Sequence, residues 1–131
     1  REIGWFDVTI ENQYLAEALH DVFPVKTEVF HWHSDTFEIP EDARHFAASQ
    51  ACSNQGCILN GRVIGLQFHL ETTADSAALL VKNCGEELDG SLYVQSASEI
   101  LADSTRFIKI NQLLSAMMDN LTGQADVYSR R

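Results

Sequence analysis

A layered α/β domain is the fold class that this 131-residue sequence predicts. Three observations point to it. Strand-like segments fill the first half of the chain, and helical periodicity takes over after about residue 73. An Asn-Gly dipeptide at 60–61 joins two apolar runs, the strongest short hairpin signal, because both turn positions need positive φ. Hydrophobic residues make up 45% of the chain, enough for one core.

The first element is WFDVTI (5–10), whose β-branched and aromatic content reads as a strand. A helix is expected over 12–23, with Leu15, Ala16, Leu19, Val22 and Phe23 on one face. Asn12 is its expected cap and Pro24 its stop. KTEVFHW (26–32) is strand-like again, and residues 34–39 read as a turn into a short extended piece. Strands are expected at 45–49, 57–60 and 63–68. The last is apolar enough to predict a central strand covered on both faces. Thr73 or Asp75 opens a helix to about Leu88, broken at Asp89–Gly90. Ser96–Ser98 opens a second, with Glu99 in its first turn, running to about Leu121 and stopped by Gly123. Residues 124–131 are polar and are expected to form a loose tail.

The formal net charge of −10 argues against nucleic acid and against an anionic membrane surface. Apolar runs are too short to span a bilayer. Three cysteines, Cys52, Cys57 and Cys84, make neither a paired disulfide framework nor a zinc spacing, which fits a reducing cytoplasmic setting.

Two stretches carry chemistry. In GLQFHLE (65–71), His69 and Glu71 lie two apart at the end of an apolar run, so in extended backbone they share a face. A carboxylate on one imidazole nitrogen fixes the tautomer and leaves the other nitrogen as a base, which is two thirds of a nucleophilic triad. The plain alternative is a surface histidine near a helix N-terminus, with Glu71 favouring the helix dipole. In HWHSDTFEIP (31–40), His31, His33 and Asp35 alternate. This H-x-H-x-D resembles the zinc motif of metallo-β-lactamase-like hydrolases, but Thr36 stands where that motif has histidine, and only His45 and His69 remain as further ligands. The expectation is therefore a polar sheet edge with no metal. Cys52 and Cys57 lack the Gly-flanked strand-to-helix turn of a nucleophile elbow and read as small buried thiols.

Taken together, these residues resemble the C-terminal part of a class I glutamine amidotransferase domain, the triad glutaminase of GMP synthase and of stand-alone GMP-synthase-like proteins. EIGWFDV (2–8) is similar to the strand that follows that family's nucleophile region. FHWHSDTFEIP (30–40) is similar to its H-x-D/H-S segment, and AASQACSNQGCILNGRVIGLQFHLE (47–71) to its concluding hairpin and G-x-Q-F-H-P-E. The resemblance covers about residues 2–85. It implies a partial flavodoxin-like three-layer fold, with residues 1–90 as the C-terminal portion of the amidotransferase domain and 91–131 as an added helical extension.

The resemblance also implies roles. His69 matches the triad histidine and Glu71 the carboxylate that orients it. His33, Ser34 and Asp35 match the segment lining the glutamine site, and Cys52 matches a position that is not the nucleophile. Leu70 stands where the family usually has proline. The family's nucleophile lies in a G-x-C-x-G elbow upstream of the EIGWF strand, so it is expected outside these 131 residues, leaving the isolated chain inactive. The implied substrate is glutamine, with no cofactor, no nucleic acid and no membrane, and with self-association or pairing with a synthase partner expected. Two other readings stay open. One is a γ-glutamyl hydrolase with the same triad. The other is a non-catalytic interaction module using the long, apolar-rich second helix.

Overall fold

The computed structural model describes residues 1–15 and 17–129. Five strands form one sheet: β1 (Glu2–Ile10), β2 (Lys26–His33), β3 (Arg44–Ser49), β4 (Gly56–Leu59) and β5 (Val63–Leu66). Their order is β2-β1-β3-β4-β5, antiparallel at every junction, with a register shift between His45 and Ala47 that curls the sheet. Helices follow as α1 (Glu17–His20), α2 (Ala74–Cys84), α3 (Ala97–Leu101) and α4 (Thr105–Ser129). The mixed α/β class read from the sequence holds.

The Asn-Gly hairpin forms as expected, with Asn60 at φ 52° and Gly61 at φ 67° between β4 and β5. The β5 run does not become a central strand. It lies at the sheet edge, Val63 is exposed, and residues 64–66 are half-buried. The strongest burial falls just beyond the strand, at Phe68 and Leu70. The apolar run therefore enters the core by its far end and not by its faces.

Residues 12–23 do not make one helix. A 3-10 turn at Asn12–Tyr14 is followed by the short α1. Asn12 is not the cap; Glu11 precedes the turn and makes no side-chain capping bond. The expected apolar face still holds, since Leu15, Leu19, Val22 and Phe23 are buried, while Ala16 lies outside the described residues. The first long helix stops at Cys84, and a 3-10 turn at Gly85–Glu87 follows, ahead of the expected break. The second is cut in two at 102–104, because Asp103 Oδ1 accepts hydrogen bonds from both the amide and the hydroxyl of Thr105, at 2.9 and 2.6 Å. An aspartate that bonds its backbone two residues on competes with a continuous helix and starts a new one. Gly123 does not end α4, which runs to Ser129 and takes in much of the expected tail, whose last two residues lie outside the described ones.

The core lies between the sheet and α3–α4. On one face of β1 and β2, Ile3 pairs with Trp32 and Trp5 with Phe30. Phe107 of α4 closes on them, 4.8 Å from the Trp5 ring centroid and 5.8 Å from that of Phe30. Trp5 Nε1 donates to the Ile100 carbonyl at 3.0 Å, so the indole is satisfied inside the core. On the opposite face the register sets Glu2 against His33 and Gly4 against His31.

Both α2 and α3 open with a capping box: Thr73 with Ser76, and Ser96 with Glu99. Ser96→Ala removes the bond from the Glu99 amide and should lower stability by about 1 kcal/mol, read from the midpoint of urea unfolding.

Candidate active site

His69 sits just past β5, and its place is set by buried neighbours. Phe68 and Leu70 point into the core, which turns His69 and Glu71 outward. The His69 amide donates to the Phe30 carbonyl at 2.8 Å, tying this segment to β2. Asn111 of α4 holds the next turn, donating through Nδ2 to the carbonyls of Leu70 at 2.8 Å and Thr72 at 3.0 Å. Sequence reasoning missed Asn111. A lone amide on a helix gives no local sign of the carbonyls it will meet about 40 residues back in the chain.

His69 Nδ1 and Glu71 Oε1 are 2.7 Å apart. The carboxylate accepts, so Nδ1 carries the hydrogen, and in the neutral ring Nε2 presents its lone pair. The second carboxylate oxygen accepts the Leu70 amide hydrogen at 3.0 Å. Proline at this position would have no such donor, so the leucine adds a contact to the pair. Partial burial pushes the Glu71 carboxyl up. Its backbone contact, His69 and the Leu70 amide outweigh this and hold it below the ordinary carboxylate range. His69 is about one-third exposed and opens, with Glu71, on a groove walled by α2, where Ser76, Leu79, Leu80 and Cys84 also lie. Among the described residues no thiol is bonded to His69. Cys84 ends α2, and so is not at the helix N-terminus where a nucleophilic thiol is usually set.

His33, Ser34 and Asp35 line a different, smaller pocket of about 140 Å³, together with Glu2 and Cys52. His33 Nδ1 donates to the Asp35 carbonyl at 2.9 Å, and its Nε2 lies 3.0 Å from Glu2 Oε2. His31 does lie on an edge strand, β2, but not on a polar, exposed face as its alternation suggested; it is fully buried behind His33. The Asp35 side chain does not join the two histidines. The carboxylate that does is Glu2, only 1% exposed, which also accepts from Gln55 Nε2 at 2.7 Å and Ser49 Oγ at 3.1 Å. Burial pushes Glu2 up, but His33, His31 and Ser49 outweigh it and hold the carboxyl below its usual range. Burial drives His31 the other way, down to about 4, so its ring is neutral at pH 7. His45 is engaged elsewhere, with its Nε2 on the carbonyls of Ala47 and Ser53. No helix among the described residues is long and apolar enough to cross a membrane.

Comparison with known proteins bears on the fold and the family likeness of the chain. No protein-family model matches the chain. The glutamine amidotransferase-like protein YfeJ of Salmonella typhimurium is 28% identical over 125 residues, covering 93% of this chain and 52% of YfeJ. The crystal structure of a glutamine amidotransferase from Methylobacillus flagellatus superposes with a TM-score of 0.82 at 31% identity, over 93% of this chain and 52% of that one. A glutamine amidotransferase from Thermotoga maritima gives a TM-score of 0.75 at 27% identity, over 92% and 50%. Its relatives and structural neighbours are glutamine amidotransferase-like proteins. The chain spans about half the length of each of them.

Proposed function

We propose that this chain supplies the base and the orienting carboxylate of a Cys-His-Glu glutaminase site. The observation that carries the reading is the 2.7 Å contact between His69 Nδ1 and Glu71 Oε1, which leaves Nε2 without a hydrogen bond among the described residues in a ring that lines an open groove. In this reading a cysteine from the half of the domain that this chain does not span gives its proton to Nε2. The thiolate attacks the side-chain amide carbon of glutamine. The imidazolium then returns the proton to the departing ammonia, and a water deprotonated at the same nitrogen releases glutamate from the thioester. Glu71, held ionised, keeps the ring in one orientation and stabilises the imidazolium in both half-reactions. His33, Ser34 and Asp35 are proposed to line the glutamine site. This rests on the resemblance, for they border a separate pocket from His69 and Glu71 among the described residues.

The test is a glutaminase assay on two proteins. One is the 131-residue chain alone, which should release no ammonia from glutamine. The other joins this chain to the half of the Methylobacillus flagellatus amidotransferase that it does not span, and this should turn glutamine over. A folded chimaera that hydrolyses γ-glutamyl amines and not glutamine would favour the hydrolase reading. Turnover by the isolated chain would overturn the division of the triad.

A further inference from the structure

We propose that Glu2, His31 and His33 form a divalent-metal site of the zinc type, separate from the His69–Glu71 pair. One donor atom from each lies within 4.8 Å of the others. His33 Nε2 is 3.0 Å and His31 Nδ1 3.5 Å from Glu2 Oε2. Ligand atoms around a tetrahedral zinc with bonds of about 2.0–2.1 Å lie about 3.3 Å apart, and both histidine contacts to the carboxylate are close to that spacing.

The hydrogen bonding around the cluster carries the argument further. His31 Nε2 faces the Phe6 carbonyl at 3.2 Å, and His33 Nδ1 faces the Asp35 carbonyl at 2.9 Å. A carbonyl only accepts, so His31 spends its hydrogen on Phe6 and turns Nδ1 toward Glu2, while His33 spends one on Asp35 and hydrogen-bonds Glu2 Oε2 through Nε2, where a metal would take the place of that proton. Each imidazole thus carries the backbone contact that orients a metal-ligating histidine. Gln55 and Ser49 both donate to Glu2 Oε2 and fix the carboxylate, leaving Oε1 as its oxygen open to a metal. Inside this frame His31 Nδ1 and Glu2 Oε1 are buried with no hydrogen-bond partner among the described residues. A ring nitrogen and a carboxylate oxygen left unpaired in the interior are costly, and a cation bound between them removes that cost. Two imidazoles and a carboxylate suit zinc, and the pocket beside Glu2 and His33 gives entry and room for a fourth, water ligand.

Zinc ion is the probe. Titration of the purified, metal-stripped chain against a chromogenic chelator should give one Zn²⁺ per chain, with a rise in melting temperature. Glu2→Gln and His33→Gln keep the shape of the site and should each weaken binding at least about tenfold and abolish the melting shift. Cys52→Ser, in the wall of the pocket, should leave affinity unchanged. X-ray absorption on the wild-type complex should show only nitrogen and oxygen donors near 2.0–2.1 Å, a readout that does not depend on any variant folding. Less than a tenth of an equivalent bound at saturation, sulfur in the first shell, or unchanged affinity in both variants would overturn the site.

Discussion

In a chimaera of full amidotransferase length that carries this chain, His69→Ala should lower kcat for glutamine by about 10³-fold or more while the protein stays folded. The size follows from the role. A positioned base that both takes a proton from the nucleophile and returns it to the leaving group is worth about 10²–10⁴ in rate. The fold should tolerate the change, because the ring is about one-third exposed and its only described hydrogen bond is to Glu71. Glu71→Gln discriminates more finely. Glu71 Oε2 now accepts the Leu70 amide hydrogen, so glutamine would place its carbonyl oxygen there and aim its NH₂ group at His69 Nδ1. That arrangement moves the imidazole hydrogen to Nε2 and removes the lone pair the thiol needs. The loss should therefore approach that of His69→Ala, up to about 10⁴-fold. The readout is kcat and KM for glutamine with circular dichroism as the fold control. A loss confined to KM, or wild-type turnover in either variant, would show that the pair does not handle protons.

The site and the fold were legible to different depths, for physical reasons. His69 and Glu71 lie two apart in extended backbone, so their shared face is a local property, and the 2.7 Å contact follows from it. The Asn60–Gly61 turn is equally local, since two positive φ angles must be met by the residues themselves. The Glu2–His31–His33 cluster depends instead on β1–β2 register. His31 and His33 announce a shared face, but nothing near them in sequence says that Glu2, roughly thirty residues earlier, is their partner. Asp35 looked the better candidate because it continues the alternation, yet β2 ends at His33 and the alternation ends with it. The misplacement of β5 has a similar source. Its apolar run shows how much surface must be buried, but the burial is taken by Phe68 and Leu70 as the chain leaves the sheet. The break before Thr105 was readable in principle, since an Asp two residues ahead of Thr is an N-terminal signal inside an otherwise continuous apolar period.

Gly4→Ala should be the most damaging single methyl in the molecule, lowering stability by about 3 kcal/mol. Gly4 lies at φ +120°, outside the region that L side chains readily adopt, which alone costs about 1–3 kcal/mol for alanine. An added Cβ would also come within 2.3 Å of Gln95 Oε1 and 2.7 Å of its Cδ. That amide cannot move freely. Its oxygen accepts the Trp5 amide hydrogen at 2.8 Å, and its nitrogen donates to the Trp5 carbonyl at 3.1 Å. The backbone around it is pinned too, with the Ile3 amide on the Tyr93 carbonyl and the Gln95 amide on the Ile3 carbonyl. Gln95 thus pairs with β1 as a short strand would, and it fixes the chain just before α3, whose Ile100 carbonyl receives the Trp5 indole. Displacing it leaves the Trp5 amide without its partner, a loss of about 1–3 kcal/mol. Gln95→Ala alone should cost about that second amount and spare the backbone strain. In the double variant the methyl meets no side-chain amide, so the two losses should not add, and the coupling should fall in the range of about 0.5–3 kcal/mol. Urea unfolding of the four proteins reads the cycle. Strict additivity would mean that Gly4 is needed for its φ alone and that the close approach of Gln95 contributes nothing to holding α3 on the sheet.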